Sequence, residues 1–398
     1  MSTLTRQSPK AYLDGLNEDQ QQAVLRTRGP LLVLAGAGTG KTRVVTCRIA
    51  HLIATGVKPD QILAVTFTKK AAAEMKQRVD SLLGGKASGL TVCTFHALGY
   101  RMLAENHIRT SSSGCLNLLS PAQQRNLVAE ILNRQHLDGL FAVHAAVREI
   151  SRVKTARATE SIIARDSISE RLVAEYQRTL DENQQIDFDD LLILPLQVLQ
   201  ESSHPRTSYR QRWPYLLVDE YQDTNELQHR LVKLLAGKER NICVVGDDDQ
   251  SIYGFRGANA DKILNFGREF RGAHVIKLER NYRSSTEILD LANSVIERAA
   301  ERYRKRLHSQ CGSGGLVLRK FSEDAEAESE AIAQWISARR RSAGAHWSDM
   351  AVLFRVQSDA QLLKNELRQR GIPFQSTTGV NGSIDKVTIT TLHRSKGL

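Results

Sequence analysis

The sequence contains few cysteines, and none of them has a paired spacing. The five cysteines are scattered through 398 residues, at Cys47, Cys93, Cys115, Cys243 and Cys311. An odd number without a Cys-x-x-Cys pair argues against a zinc site and against a disulfide framework. The sequence also lacks an apolar leader at its N-terminus and any apolar run of membrane-spanning length. Together these absences predict a protein of the reducing cytoplasm with no membrane attachment.

Acidic residues are the scarcer class of charged residue. The chain has 44 Asp and Glu against 55 Lys and Arg, which gives a net charge of +11. Its hydrophobic content of 41% is typical of a soluble globular protein, and its length predicts two or three domains. The positive excess favours a polyanionic partner such as nucleic acid, although a basic surface that only maintains solubility has the same charge.

Strand-like apolar runs alternate with helical patterns in the first hundred residues. The predicted order is strand Leu31–Ala35, helix Thr42–Thr55, strand Ile62–Phe67, helix Lys69–Leu83 and strand Leu90–Thr94. This alternation indicates a parallel sheet with helices on its faces. Residues 98–208 carry only helical patterns, which predicts an all-helical insertion. Strand patterns then return, at Tyr215–Val218, Ile242–Val245 and His274–Leu278.

A second α/β unit is predicted from residue 284 onward. Its predicted elements are strand Leu316–Phe321, helix Asp324–Arg341, strand Met350–Phe354, helix Ala360–Arg370 and strand Val387–Leu392. The predicted fold class is therefore α/β, with two P-loop-type units built on parallel sheets. The predicted domains are residues 1–97 plus 209–283, the helical insertion 98–208, and a second unit 284–398.

A glycine-rich turn follows the first predicted strand. Residues 35–42 read Ala35, Gly36, Ala37, Gly38, Thr39, Gly40, Lys41 and Thr42. Between a strand and a helix, such a turn holds phosphate groups with its backbone N–H groups. Lys41 would reach the β- and γ-phosphates, and the Thr42 hydroxyl would bind Mg²⁺. Ala35 stands where the strict pattern has glycine. The turn predicts binding of a nucleoside triphosphate.

Two carboxylates follow the predicted strand Tyr215–Val218. Asp219 would hold Mg²⁺, and Glu220 would orient and deprotonate the attacking water. Upstream, the amide of Gln20 would pair with adenine and select ATP, while Asn17 and Gln20 also have the spacing of a helix capping box. Both roles are compatible, because capping would fix the helix that presents Gln20.

The segment after the predicted strand Ile242–Val245 combines polar and aromatic residues. Gln250 is placed to sense the γ-phosphate, and Tyr253, Phe255 and Arg256 offer stacking faces and a cation. Such residues suit a groove that binds single-stranded DNA without regard to sequence. A core position for Phe255 is the alternative.

Ten motifs in order make the chain resemble superfamily 1 DNA helicases of the UvrD/Rep/PcrA type. They read LNEDQQQA (16–23), AGAGTGKT (35–42), TFTKKAAAEMKQR (66–78), TVCTFHAL (91–98), DFDDLL (187–192), LLVDEYQD (216–223), VGDDDQSIYGFRGA (245–258), LERNYRS (278–284), VLFR (352–355) and TLHRSK (391–396). The resemblance implies two RecA-like units that use ATP and Mg²⁺.

The resemblance also implies roles for individual residues. Tyr282 would stack on adenine, Arg283 would act as an arginine finger across the cleft between the units, and Arg43 would line the nucleotide pocket. Single-stranded DNA would contact Thr66, Phe67, Thr94, Phe95, His96, Arg355 and His393. For Thr66 and Thr94, an ordinary strand role is an equal alternative. DFDDLL is interpreted as structural, with Asp187 capping the following helix.

Three departures from the family pattern are visible. Family members carry a helical domain, 2B, between VLFR and TLHRSK, where this chain has only residues 376–384 with a turn-forming Asn381-Gly382. The chain also ends at Leu398, before a final motif whose arginine contacts the γ-phosphate, so the second unit is expected to be incomplete at its C-terminus. Phe255 replaces a frequent tryptophan.

The leading hypothesis is an ATP-dependent translocase and helicase that acts on single-stranded DNA and on junctions with duplex. The resemblance implies 3′→5′ movement and partners in repair or replication. One alternative is a fragment or pseudo-helicase that binds ATP and DNA without productive hydrolysis. Another is a subunit of a helicase–nuclease machine, although no nuclease carboxylate cluster is visible in the sequence.

Overall fold

The computed structural model describes residues 11–108, 115–161, 167–237, 240–254, 257, 260–376 and 385–396. The strands are β1 Leu31–Ala35, β2 Ile62–Thr66, β3 Thr91–Thr94, β4 Tyr215–Val218, β5 Asn241–Gly246, β6 His274–Leu278, β7 Arg280–Asn281, β8 His308–Ser309, β9 Ala351–Phe354, β10 Phe374–Gln375 and β11 Val387–Thr391. The helices are α1 Glu18–Leu25, α2 Lys41–Ala54, α3 Lys69–Leu83, α4 Phe95–Glu105, α5 Pro121–Arg134, α6 Val143–Ala158, α7 Ser167–Glu182, α8 Asp190–Glu201, α9 Ser203–Arg212, α10 Glu226–Leu235, α11 Asp261–Leu264, α12 Phe266–Glu269, α13 Thr286–Ile296, α14 Ala325–Ala343, α15 Ala360–Gln369 and α16 Leu392–Ser395.

A six-stranded parallel sheet forms the centre of the first part of the chain. Its strand order is β3-β2-β4-β5-β1-β6, and Leu31 of β1 lies opposite Cys243 of β5 and His274 of β6. All strands run in the same direction, so they all end at one edge, called here the carboxyl edge. This confirms the α/β class with a parallel sheet.

Alternate residues of the strands enter two separate cores. Leu32 and Leu34 of β1 face a core shared with α4, α8 and α10, while Leu31 and Val33 face a core shared with α1, α2 and α3. Both faces are covered by helices, which is why these strands read as continuous apolar runs rather than as alternating ones. The two cores hold the carboxyl edge in a fixed geometry.

The region predicted to be all-helical is helical in its described residues. Helices α5, α6 and α7 pack around a core of their own, and one isolated bridge joins Leu118 to Ile186. Helix α8 follows these helices in the chain and packs on α4 and α10, which cover one face of the six-stranded sheet. Asp187 was predicted to cap this helix, but the N-cap is Asp189, which makes no side-chain cap bond. Asp187 lies two residues earlier, and its Oδ1 accepts a hydrogen bond from the N–H of Asp190 at 3.0 Å.

The second part of the chain contains a smaller parallel sheet. Its order is β10-β11-β9, and α14 and α15 pack with it around a core that includes Ile336 and Leu363. The predicted strand Leu316–Phe321 is wrong. None of the described strands pairs with this segment, and a strand requires a hydrogen-bonding neighbour; Leu316 and Phe321 are both 77% exposed.

The chain divides into two compact units, residues 1–315 and 316–398. The first unit includes residues 284–315, which the sequence assigned to the second domain, because Arg302 and Lys305 pair with carboxylates that follow β5. The three-domain division stays a prediction. In the described residues, no helix combines the length and the apolar character needed to cross a membrane.

Candidate functional site

The carboxyl edge of the six-stranded sheet collects the motifs found in the sequence. The phosphate-loop motif follows β1, the motif TFT (66–68) begins at the end of β2, and the motif TFH (94–96) begins at the end of β3. Asp219-Glu220 follow β4, the Gln250 segment follows β5, and Asn281-Tyr282-Arg283 follow β6. In open α/β sheets, ligands bind at this edge. The fold therefore brings most of the predicted site residues to one side of the molecule.

The glycine-rich turn has the backbone geometry of a phosphate cradle. Ala35 is the last residue of β1, so a Cβ is accommodated where the strict pattern has glycine. Gly38 has a φ of +69° and Gly40 a φ of +88°, both left-handed. A methyl group on Gly38 would lie 2.6 Å from the Cβ of Arg283. Glycine is therefore required at Gly38 both for conformation and for space.

Helix α2 begins directly after this turn. Gly40 is its N-cap and supplies no side-chain hydrogen bond, so the first N–H groups of the helix are not capped by that residue. Lys41 donates from Nζ to the carbonyl oxygen of Ala35 at 3.2 Å, which holds its side chain across the turn. Thr42 is the second residue of the helix. An anion in the turn would meet the positive end of a 14-residue helix.

Gln20 lies behind the cradle and is buried. The predicted capping box is confirmed: Gln20 N–H donates to Asn17 Oδ1 at 2.9 Å, and Asn17 N–H donates to Gln20 Oε1 at 3.1 Å. Gln20 Nε2 also donates to the Thr39 carbonyl at 2.9 Å. The side chain thus ties α1 to the phosphate loop, and its contact with adenine stays a prediction.

Asp219 and Glu220 occupy the end of β4 as predicted. Asp219 is buried, and its pKa is raised to about 7 by burial and by the neighbouring Glu220, against the effect of Lys41. Glu220 has a left-handed backbone, with φ +50° and ψ 46°. For a residue with a Cβ this conformation costs free energy and occurs preferentially at functional sites. Its Oε2 accepts a hydrogen bond from Gln222 Nε2 at 2.6 Å.

Gln250 is held beside these carboxylates through Asp247. Gln250 Nε2 donates to Asp247 Oδ2 at 2.5 Å, and the Asp247 N–H donates to Gln222 Oε1 at 3.0 Å. A chain of hydrogen bonds therefore runs from Glu220 through Gln222 and Asp247 to Gln250. Gln222 is fully buried, and sequence reasoning missed it although it lies inside the DEYQD motif.

The Asn281-Tyr282-Arg283 segment is fastened to the phosphate loop. Asn281 Nδ2 donates to the Ala37 carbonyl at 2.6 Å, and the Tyr282 N–H donates to the Gly38 carbonyl at 2.9 Å. The exposed Tyr282 ring is fixed at its hydroxyl, which accepts a bond from Asn17 Nδ2 at 2.9 Å. Arg283 thus lies in the same compact unit as the phosphate loop. Sequence reasoning missed Asn281.

Arg43 lies on the first turn of α2 and is exposed. Its guanidinium donates to the Asp14 carbonyl at 2.8 Å, close to Gly15. A Cβ on Gly40 of the phosphate loop would lie 4.0 Å from the Cβ of Arg43. The role of Arg43 in the nucleotide pocket stays a prediction.

Aromatic rings lie beside the ends of β2 and β5. Phe67 and Tyr253 stack with ring centroids 5.3 Å apart, and both are half-buried. Phe255 and Arg256, which were predicted to contact DNA, lie outside the described residues. Thr66 is buried, and its hydroxyl lies 3.4 Å from the Thr68 carbonyl oxygen. The Phe67–Tyr253 pair therefore offers the accessible stacking surface at this point of the edge.

The TFH motif after β3 divides into structural and accessible residues. Thr94 caps α4 by accepting a bond from the Ala97 N–H at 3.3 Å. Phe95 is 3% exposed and packs in the same core as Leu98, and its predicted contact with single-stranded DNA stays a prediction. His96 stacks on Phe188, with centroids 4.0 Å apart, and Phe188 is 55% exposed.

Phe188 was missed because DFDDLL was interpreted as structural. The signal in the sequence was an aromatic residue between two acidic residues, Asp187 and Asp189, because such a residue is not part of an apolar run that would bury it. The pKa of His96 is lowered to about 4 by burial, so its ring is neutral at pH 7. His96 and Phe188 therefore present ring faces rather than charge.

The burial of His96 predicts a loss of stability in acid. The unfolded chain binds the proton near pH 6.5 and the folded chain near pH 4, so the free energy of unfolding falls as pH decreases between those values. We expect wild type to lose about 1–2 kcal/mol more than His96→Gln between pH 7 and pH 4.5, since His96 is only partly buried. Urea unfolding at both pH values measures this difference. An identical pH dependence in the two proteins would contradict the prediction.

In the second unit, Arg355 and His393 come together. Arg355 follows β9 and His393 lies in α16 after β11, and the guanidinium nitrogen NH1 is 3.1 Å from His393 Nδ1. Both residues are thus placed at the carboxyl ends of neighbouring strands of that unit. Their contact with DNA stays a prediction.

Comparison with known proteins agrees with this geometry. Residues 16–271 match the UvrD/REP helicase N-terminal domain, and residues 276–381 match the UvrD-like helicase C-terminal domain. The ATP-dependent DNA helicase PcrA of Leuconostoc citreum is 38% identical over 381 residues, which are 94% of this chain and 51% of that protein. The protein of the same name from Staphylococcus aureus (strain Mu50) is 37% identical over 377 residues, which are 93% of this chain and 52% of that protein. The chain spans about half the length of the curated relatives that it matches, and it belongs to the UvrD/Rep family of helicases.

Proposed function

We propose that this chain is the motor part of an ATP-dependent helicase that moves along single-stranded DNA. The observation that carries the proposal is the shared carboxyl edge. The phosphate loop, Asp219-Glu220 and the Gln250 segment lie on the same edge as the partly exposed aromatic pairs Phe67–Tyr253 and His96–Phe188. Changes at the nucleotide would therefore occur close to the surface that holds DNA.

The residues at the cradle fit ATP and Mg²⁺. The left-handed Gly38 lets Asn281 and Arg283 approach the turn closely, and Lys41 supplies a cation across the turn. Asp219 is buried beside a second carboxylate, Glu220, and the charge of a bound cation would stabilise both. When bound, Mg²⁺ would neutralise phosphate charge, with Asp219 and the Thr42 hydroxyl as its protein ligands.

The chain's own residues would then divide the work of hydrolysis. Backbone N–H groups of residues 36–42 and Lys41 would hold the phosphates, and Glu220 would accept the proton of the attacking water. Gln250 would contact the γ-phosphate side, and Arg283 would stabilise the charge that develops there. Tyr282 and Gln20 would hold the base, beside Arg43. These assignments extend the family resemblance to this chain residue by residue.

Single-stranded DNA would bind mainly by stacking. Each partly exposed aromatic pair would offer a ring face that accepts any base, and the net charge of +11 favours the phosphate backbone. In the second unit, Arg355 and His393 would add polar contacts. Movement in the 3′→5′ direction, strand separation at junctions, and a place in repair or replication are proposed from the family alone.

ATP turnover with and without single-stranded DNA tests the proposal. We expect DNA to stimulate phosphate release, and the stimulation to weaken as salt increases because counterions compete for the phosphates. A titration of an oligothymidylate at several salt concentrations measures both effects. Binding of ATP and DNA without turnover would contradict the motor and support the alternative of a chain that only binds them. Failure to bind single-stranded DNA would contradict both.

A further inference from the structure

Three consecutive carboxylates after β5 converge on one ammonium group. Lys305 Nζ lies 2.8 Å from Asp247 Oδ1, 2.5 Å from Asp248 Oδ1 and 2.6 Å from Asp249 Oδ2. The Lys305 side chain is 2% exposed. Arg302 adds a two-point contact to Asp249, at 2.8 and 2.7 Å. The cation that these carboxylates hold is therefore a lysine of the chain itself.

Lys305 reaches this turn from a distant segment of the sequence. The segment is fixed on one side by the pairing of β8 with β7, where His308 lies opposite Arg280. Leu307 lies over the phosphate loop, since a methyl group on Gly36 would be 2.5 Å from its Cδ2. The residues around Lys305 thus contact both the phosphate loop and the strand that leads into Tyr282 and Arg283.

The carboxylates that Lys305 neutralises also orient the polar groups of the nucleotide site. Asp247 accepts the hydrogen bond of Gln250 through Oδ2, while its Oδ1 faces Lys305. Its N–H is bonded to Gln222, whose amide holds Glu220. Without Lys305, Arg302 would still pair with Asp249, but Asp247 and Asp248 would lose the ammonium group between them and repel each other, and the turn would open. The position of Gln250 therefore depends on Lys305.

We propose that Lys305 is a positioning residue for ATP hydrolysis, which holds the turn 247–249 so that Gln250 and Glu220 keep their relative positions. The inference rests on the proposed function, because it gives Gln250 and Glu220 a reaction to serve. Nucleotide binding relies chiefly on the phosphate loop. Loss of Lys305 therefore reduces kcat and leaves nucleotide affinity almost unchanged.

The test compares Lys305→Met with Lys305→Arg and with Arg306→Met. Arg306 is the matched control, since it is the next residue and carries the same charge, its side chain is 59% exposed, and its guanidinium lies 3.8 and 3.9 Å from Asp290 and Glu297. We expect Lys305→Met to lower kcat about tenfold, with the affinity for a fluorescent ADP analogue within about threefold of wild type. Lys305→Arg retains most of the turnover, and Arg306→Met all of it. If Lys305→Met does not fold, Lys305→Met with Asp248→Asn removes one charge of each sign and takes its place.

Hydrogen exchange provides a second measurement that does not depend on activity. In folded protein without nucleotide, Lys305→Met is expected to accelerate amide exchange in peptides of residues 246–254 and to leave α2 and α3 unchanged. Turnover equal to that of Arg306→Met would overturn the proposal. So would a joint loss of kcat and nucleotide affinity with faster exchange throughout residues 11–315, which would indicate a general structural role. If wild type itself shows no turnover, the proposed function fails, and hydrogen exchange alone tests the role of Lys305. Faster exchange of Lys305→Met confined to residues 246–254 would then support its role in holding the turn, and unchanged exchange there would contradict it.

Discussion

Glu220→Gln is expected to lower ATP turnover about a thousandfold while nucleotide affinity stays within about threefold of wild type. The substitution preserves the size and shape of the side chain and removes its capacity to accept a proton. The amide oxygen of the variant would still accept the hydrogen bond from Gln222, so the arrangement at the end of β4 should persist. The loss would therefore reflect the proton transfer rather than a displaced loop.

Phosphate release in the presence of single-stranded DNA, together with binding of a fluorescent ADP analogue, measures the two quantities separately. Glu226→Gln is the matched control. Glu226 lies six residues later, in the first turn of α10, where it pairs with the partly exposed Arg230. This control should retain full turnover. Undiminished turnover in Glu220→Gln would eliminate Glu220 as the base.

The backbone at Glu220 supports a functional reading of this position. A left-handed conformation costs a side chain with a Cβ about 1 kcal/mol or more, and here it turns the chain sharply away from the end of β4. The left-handed conformation ends the strand alternation at Glu220, in which adjacent side chains would point to opposite faces of the sheet.

The sequence predicted the central strands of the first sheet well because these strands are buried on both faces. The edge strand β6 also has its predicted limits, His274–Leu278, although most of its residues are exposed. The limits of the buried strands β1 and β4 agree with the predicted Leu31–Ala35 and Tyr215–Val218. Such strands appear as uninterrupted apolar runs, and their polar ends mark the site directly. The phosphate loop and Asp219-Glu220 were found for the same reason, since each motif begins where a strand ends.

Features that depend on distant partners were not predictable in the same way. Leu316–Phe321 has the composition of a strand, but pairing is decided by neighbours and not by the segment itself. Phe95 and Phe188 are both aromatic residues in recognised motifs, and only the packing of α4 distinguishes the buried ring from the exposed one. Lys305 stands in a basic run, Arg304-Lys305-Arg306, that gives no sign of which residue is buried.

Lys154→Met is expected to lower the free energy of unfolding of the helical insertion by about 3–5 kcal/mol. Lys154 of α6 is buried, and its Nζ lies 2.8 Å from both Asp187 Oδ2 and Asp190 Oδ1. Tyr176 of α7 donates to Asp187 Oδ2 at 3.1 Å. Removal of the ammonium would leave two carboxylates in the interior with no cation. Loss of one partner of a buried ion pair destabilises a protein more than replacement of the whole pair, because the remaining charge is buried without compensation.

Urea unfolding, followed by far-UV circular dichroism, compares this variant with two others. Arg178→Met removes an exposed cation that is 57% accessible and pairs with Glu175 and Glu182, and it should cost far less stability than Lys154→Met, because solvent screens exposed ion pairs. Lys154→Met combined with Asp187→Asn and Asp190→Asn should recover much of the lost stability. Those amides keep the reciprocal backbone hydrogen bonds of residues 187 and 190 without the charge.

The ion pairs of Lys154 with Asp187 and Asp190 should also affect the binding of single-stranded DNA. Asp187 precedes α8, and Asp190 is its first residue. Helix α8 packs on α4, which carries His96, and on α10, which follows Asp219-Glu220. Phe188 lies between the two aspartates, so its position over His96 depends on the same ion pairs. Lys154→Met should therefore also weaken the binding of single-stranded DNA, and the triple variant should restore it. A cost as small as that of Arg178→Met, with DNA affinity unchanged, would show that Lys154 does not hold this junction between the insertion and the sheet.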